Sequence, residues 1–133
     1  MIRWGILSTA KIGREHVIPA INEANGARLM GVASRNMAKA TEIADQFGVP
    51  LRFGNYEDLL SSKEIDAVYI PLPTSSHVEW SIKAAKKGKH VLCEKPIALN
   101  ASDIDKLIEV AEEAGVIISE AFMVTYHPQW LKV

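Results

Sequence analysis

Cysteine is all but missing from this chain of 133 residues, where Cys93 stands alone. A single thiol forms neither an internal disulfide nor a metal cluster, so the expected setting is a reducing compartment, the cytoplasm. An excess of one charge is missing too: 15 Lys and Arg face 16 Asp and Glu, for a net charge of -1. Without a basic surplus, nucleic acid is not an expected partner. No apolar run is longer than a strand, and Met1 leads straight into Ile2-Arg3-Trp4-Gly5-Ile6-Leu7. Neither a membrane span nor a signal peptide is predicted from such a pattern. Repeats, linkers and low-complexity segments are also lacking. What remains reads as one domain of ordinary size, able to bury about two thirds of its unfolded surface.

Strand and helix signals alternate through that domain. Ile2–Leu7 reads as a buried strand and Lys11–Ala24 as a helix, with Ile12, Val17, Ile18 and Ile21 on one face, a kink at Pro19 and a stop at Gly26. Ala27–Ser34, Leu51–Phe53, Ile65–Ile70, Lys89–Glu94 and Val116–Ser119 read as further strands. Between them the pattern predicts helices over Met37–Phe47, Tyr56–Leu60, Ser75–Lys87 and Ile104–Ala114. Within the third of these, Val78, Ile82 and Ala85 are expected to face inward and Ser75 or Ser76 to cap the start. Cys93 falls in a buried strand and is expected to be an inert core thiol. Strands separated by helices of this length imply right-handed crossovers and a parallel sheet. The predicted architecture is α/β, a doubly wound parallel sheet in three αβα layers.

In such a sheet ligands lie over the carboxyl ends of the strands, and three absences there are informative. A dinucleotide-binding turn carries G-x-G-x-x-G, whereas Ser8-Thr9-Ala10-Lys11-Ile12-Gly13 keeps only the last glycine. Ser8 and Ala10 are still small, so amides around Ala10, Lys11 and Ile12 can face a phosphate from the helix start. A plain βα turn explains the same residues. After the second strand no acid occurs between Ala27 and Ala40, where Ser34-Arg35-Asn36 stands instead, with Lys39 one turn further on. A carboxylate there would repel a ribose 2′-phosphate; a hydroxyl and guanidinium bind one. The pattern favours NADP over NAD, against the alternative of a solvated basic turn. Finally, no Tyr-x-x-x-Lys occurs, which disfavours a short-chain dehydrogenase.

Two segments on the same edge carry polar groups of interest. Pro71-Leu72-Pro73-Thr74-Ser75-Ser76-His77 follows the fourth strand, and His77 reads either as a structural hydrogen-bonder or as a cofactor contact. The fifth strand runs His90-Val91-Leu92-Cys93 into Glu94-Lys95-Pro96. Proline forces the chain to turn there, which makes Lys95 a candidate active-site lysine rather than one more surface cation.

Taken together, Arg3-Trp4-Gly5-Ile6-Leu7, Ala33-Ser34-Arg35, Gly88-Lys89-His90-Val91, Glu94-Lys95-Pro96, Glu120-Ala121-Phe122-Met123 and His127-Pro128-Gln129 resemble the glucose–fructose oxidoreductase/inositol dehydrogenase family, Gfo/Idh/MocA. The last segment is similar to the branch with dihydrodiol and NADP-dependent xylose dehydrogenases. The resemblance covers essentially the whole chain and implies an NAD(P)-binding Rossmann domain over residues 1–120. Residues 121–133 would begin the crossing to a C-terminal α/β domain that this chain does not contain. It implies Lys95 at the substrate hydroxyl, Glu94 at the lysine and the nicotinamide ribose, and a cis bond at Lys95-Pro96. Cofactor contacts would then come from Ser8, Thr9, Ala10, Lys11, Ile12, Ser34, Arg35, Lys39, Leu72, Pro73, Thr74, His77, Glu94 and Lys95.

The expected activity is hydride transfer between NADP and a sugar or polyol, with this chain as the cofactor-binding half and inactive alone. A non-catalytic dinucleotide-binding module, a sensor or partner subunit, is the alternative. Phe122, Tyr126 and Trp130 are expected to stay exposed on the face a second domain would cover, favouring self-association.

Overall fold

The computed structural model describes residues 1–132. Six strands form one sheet: β1 (Ile2–Leu7), β2 (Ala27–Ala33), β3 (Leu51–Phe53), β4 (Ala67–Ile70), β5 (His90–Glu94) and β6 (Ile118–Ala121). Their order is β3-β2-β1-β4-β5-β6 and every neighbouring pair is parallel. The helices are α1 (Ile18–Glu23), α2 (Met37–Phe47), α3 (Tyr56–Ser61), α4 (His77–Lys86), α5 (Ala101–Ala114) and the short α6 (Pro128–Leu131). This is a Rossmann fold.

Alternation along the strands divides the core in two. Ile6, Leu29, Val32 and Tyr69 face Ile18 and Ile21 of α1 and Ile43 and Ala44 of α2. Leu7, Val68, Ile70, Val91 and Cys93 face Leu59 and Leu60 of α3 and Ala84 of α4 on the other side. At Gly5 a Cβ would stand 2.8 Å from Leu59 Cδ2, so α3 rests directly on β1. Because the winding reverses between β1 and β4, their carboxyl ends open a crevice, the usual ligand position in such sheets. Among the described residues, no helix is long and apolar enough to cross a membrane.

Several sequence expectations shift in detail. The first helix is not simply kinked at Pro19: a π-helical turn over Gly13–Val17 comes first, with Ile18 N–H donating to Gly13 O. Pro19 then sits in the first turn of α1. Proline offers no N–H to the carbonyl four residues earlier, and the wider turn takes up that mismatch. β4 and β5 start at Ala67 and His90, later than expected, and α5 starts earlier, at Ala101 behind an Asn100 cap. β6 lies two residues further along than Val116–Ser119, since Val91 pairs with Ile118 and Glu94 with Ala121. In α4 the buried stripe is His77, Ser81, Ala84 and Ala85. Val78 and Ile82 are only half-buried. A 3-10 turn over Thr74–Ser76 precedes α4, and neither serine caps it through its side chain. After β6 come a 3-10 turn, Met123–Tyr126, and α6. Phe122, Tyr126 and Trp130 are exposed, as expected. Val133, the end of the predicted crossing, lies outside the described residues.

Candidate functional site

The carboxyl edge is built by four loops. The first follows β1, where Ser8 has φ 137°, a backbone that favours glycine. The first fingerprint position therefore keeps the glycine conformation with a serine in it, at a cost of about 1–3 kcal/mol. Ser8 N–H donates to Ala33 O at 3.0 Å, and Ser8 Oγ accepts from Ala10 N–H at 3.0 Å, which sets the turn. Helical backbone begins at Lys11, so Lys11 and Ile12 lie at the helix start as expected. Lys11 is exposed, 3.7 Å from Glu15. A Cβ on Gly13 would make ordinary contact with Tyr69 Cε1 at 3.7 Å, so close packing is not what requires this glycine.

The second loop follows β2. Ser34 is buried, and its Oγ accepts from Asn36 N–H at 3.1 Å. Asn36 Oδ1 in turn accepts from Ala38 N–H at 2.9 Å and from Lys39 N–H at 3.4 Å, capping α2. Arg35 is thus held in a turn fixed on both sides while its side chain faces water, and Lys39 is exposed one turn away. Neither cation has an ion-pair partner among the described residues.

The third and fourth loops are tied to each other. His77 is 1% exposed, with Nε2 2.6 Å from Leu72 O and Nδ1 2.8 Å from Pro96 O. A carbonyl only accepts, so the neutral ring donates to one of the two and the protonated ring to both. With both nitrogens facing backbone, His77 fits the first of its two sequence readings, a structural hydrogen-bonder. Leu72, Pro73 and Thr74 form the loop that it holds. Glu94 ends β5, its Oε1 accepts from the Tyr69 hydroxyl at 2.6 Å, and Lys95-Pro96 is cis. Lys95 is exposed. Beneath the corner Cys93 is buried, and burial pushes its thiol up to about 12, which leaves it inert as expected.

Two residues of this corner escaped the sequence reading. Tyr69 is fully buried, and Glu120 of β6 accepts from Ile97 N–H through Oε2 at 2.9 Å. A signal did exist for Tyr69: a tyrosine in an otherwise apolar strand needs a partner for its hydroxyl.

Residues 2–122 match the oxidoreductase family with an NAD-binding Rossmann fold, Gfo/Idh/MocA. The chain belongs to this family. A D-xylose 1-dehydrogenase (NADP(+)) from Haloferax volcanii is 46% identical over 94% of this chain and 38% of its own length. A trans-1,2-dihydrobenzene-1,2-diol dehydrogenase from Xenopus tropicalis is 30% identical over 98% of this chain and 40% of its own. Among solved structures, a 3-ketoreductase from Actinomadura kijaniata in complex with NADP and TDP-benzene superposes with a TM-score of 0.95. It is 35% identical over 98% of this chain and 40% of that one. The chain thus spans about two fifths of the length of these relatives.

The Gfo/Idh/MocA domain's residues fit a dinucleotide. The glycine-like backbone at Ser8 makes the tight turn, and Ala10 keeps a small side chain at the helix start. Against the sequence expectation, Ala10 N–H is taken by Ser8 Oγ and is not among the amides free to meet a phosphate. At the β2 end, exposed cations replace the acid that binds NAD ribose hydroxyls.

Proposed function

We propose that this chain is the cofactor-binding domain of an NADP-dependent oxidoreductase acting on a sugar or polyol. The observation that carries the reading is the hydrogen-bonded turn at Ser34–Asn36, which holds Arg35 in solvent beside Lys39 with no ion-pair partner for either among the described residues. Arg35 would grip a 2′-phosphate in a fork of N–H donors, with Lys39 as a second charge. Amides at the start of the first helix would take the pyrophosphate, and Leu72, Pro73 and Thr74 would border the cofactor near β4. The cofactor, when bound, supplies hydride exchange at its nicotinamide. Lys95 would present a proton from Nζ to a substrate carbonyl in the reducing direction, or, as the neutral amine, take the proton of a substrate hydroxyl in the oxidising direction. Glu94 would steady that lysine and the ribose beside it. The relatives, a D-xylose 1-dehydrogenase, a trans-1,2-dihydrobenzene-1,2-diol dehydrogenase and a 3-ketoreductase, support the substrate class.

The chain spans only about two fifths of its relatives, which supports the reading that the rest of the pocket would come from residues outside it. Orientation by a complete pocket supplies up to roughly 7–11 kcal/mol of a barrier. The chain alone should therefore bind cofactor weakly and turn over little, and exposed Phe122, Tyr126 and Trp130 favour its self-association. A complete protein that bound cofactor without turnover would instead be a non-catalytic dinucleotide module.

Titration by nicotinamide fluorescence tests the cofactor assignment. NADPH should bind about ten- to a hundredfold more tightly than NADH, the worth of one charge-assisted pair. Arg35→Ala should remove most of that preference. Equal affinities in the native chain contradict the proposal.

A further inference from the structure

We infer that Tyr69, His77 and Glu120 are positioning residues that fix the Glu94-Lys95-Pro96 corner from three separate elements. The inference rests on the reading of that corner as the reactive edge of the site. A loop leaving the carboxyl end of a parallel strand has no ladder partner, so its polar groups need others. Here each comes from a different direction. From β4, Tyr69 OH donates to Glu94 Oε1 at 2.6 Å. From the first turn of α4, His77 Nδ1 lies 2.8 Å from Pro96 O. From β6, Glu120 Oε2 accepts from Ile97 N–H at 2.9 Å.

The three contacts divide the work. The remaining residues of β4, Ala67, Val68 and Ile70, are apolar and buried, so phenylalanine would serve the packing as well as Tyr69 does. The hydroxyl's contact is with Glu94. Burial and the adjacent carboxylate push the phenol's pKa up, which keeps it a donor. With Oε1 held, Oε2 of Glu94 is turned toward Lys95 N–H at 3.3 Å. Through its second nitrogen, 2.6 Å from Leu72 O, His77 also sets the spacing between the β4 and β5 loops. Lys95 is the exposed cation of the arrangement, mounted on a backbone held on both sides, with Glu120 exposed as well. A reacting group fixed in this way loses less freedom when its ligand arrives.

Tyr69→Phe removes one hydroxyl and no packing, and two readouts follow it in the 133-residue chain. Fluorescence titration should show NADPH affinity falling about three- to tenfold, the range of one hydrogen bond. In a Glu94→Ala background the same substitution should change nothing further, because Tyr69 acts through Glu94. Amide exchange, followed by NMR without cofactor, should speed up at Lys95 in Tyr69→Phe and at Ile97 in Glu120→Ala. Glu120→Gln keeps an accepting oxygen and should restore slow exchange at Ile97. A purely structural role would lower affinity equally in both backgrounds; that result, unchanged affinity in Tyr69→Phe, or unchanged exchange overturns the inference. Exchange is read without ligand, so it decides the positioning claim even if the chain binds no dinucleotide, a result that removes the functional reading alone.

Discussion

The two ends of the sheet use their cationic side chains in opposite ways. At the amino ends, charges are turned on the protein itself. Arg3 of β1 grips Asp66, just before β4, with Nε–Oδ2 at 3.0 Å and Nη2–Oδ1 at 2.7 Å, while Arg3 N–H donates to Asp66 Oδ2 at 2.9 Å. Lys89, buried just before β5, donates from Nζ to Ser62 O and Ile65 O at 2.7 Å each. At the carboxyl ends the internal bonding is done without the cations: Ser8, Ser34, Asn36 and His77 contact backbone, Glu94 accepts from the Tyr69 hydroxyl, and Glu120 accepts from Ile97 N–H. The cations Arg35, Lys39 and Lys95 are left in solvent on loops that those bonds hold. Pairing charges stiffens a scaffold; cations left free on held loops are what the proposed dinucleotide and substrate contacts would need.

The contrast can be broken from either end, and the largest effect is expected at Lys89. Lys89→Met leaves two backbone carbonyls without their donor. It should lower stability by roughly 2 kcal/mol, since each buried unsatisfied group costs about 1–3 and the relief of a buried ammonium offsets part. Thermal unfolding measures this, and NADPH affinity of the folded chain should not change. A loss of affinity without a loss of stability would mean that the amino end is not mere scaffold.

A smaller effect belongs to Asp66. Hydrogen bonds from Arg3 hold its carboxyl at about 2, below its ordinary 3.8, against an opposing effect of burial. The folded value lies below the unfolded one, so the stabilisation is fully present above about pH 4 and disappears as pH falls toward 2. Both side chains are about one third exposed, so Asp66→Asn should cost only about 1 kcal/mol at neutral pH. The native and variant unfolding curves should converge near pH 2. A gap that persists there would rule out the ion pair as its source.

The smallest effect sharpens the carboxyl end. Gly13→Ala adds a Cβ at ordinary contact distance, 3.7 Å from Tyr69 Cε1. Alanine also suits a helical backbone better than glycine. Stability should stay within about 0.5 kcal/mol of native or rise slightly. A loss of several kcal/mol would show that helix and strand pack too closely there for any side chain.

Much of this architecture was legible in the chain. Alternating apolar runs and glycine stops predicted the parallel sheet, and Glu94-Lys95-Pro96 marked the corner because three unusual neighbours stand together. The missing acid near Ser34 was equally visible, since an absence at a known position is local information. What escaped depends on contacts across the fold. Tyr69 meets Glu94 across 25 positions and Glu120 meets Ile97 across 23, and no window of the sequence holds either pair. The inward stripe of α4 was misread because His77 and Ser81 are polar; His77 is buried between two carbonyls, whereas Ser81 Oγ has no hydrogen-bond partner among the described residues. The shift of β6 followed from two adjacent isoleucines, Ile117 and Ile118, that fit either register until β5 chooses one.

NMR mapping of NADP+ onto the 133-residue chain tests the contrast between the two ends most directly. Amide shifts should concentrate at Ser8–Gly13, Ser34–Lys39, Leu72–Thr74 and Glu94–Ile97, with Arg3, Asp66 and Lys89 unmoved. Shifts centred on the amino ends, or spread evenly over both, would contradict the assignment of the free cations to a dinucleotide site.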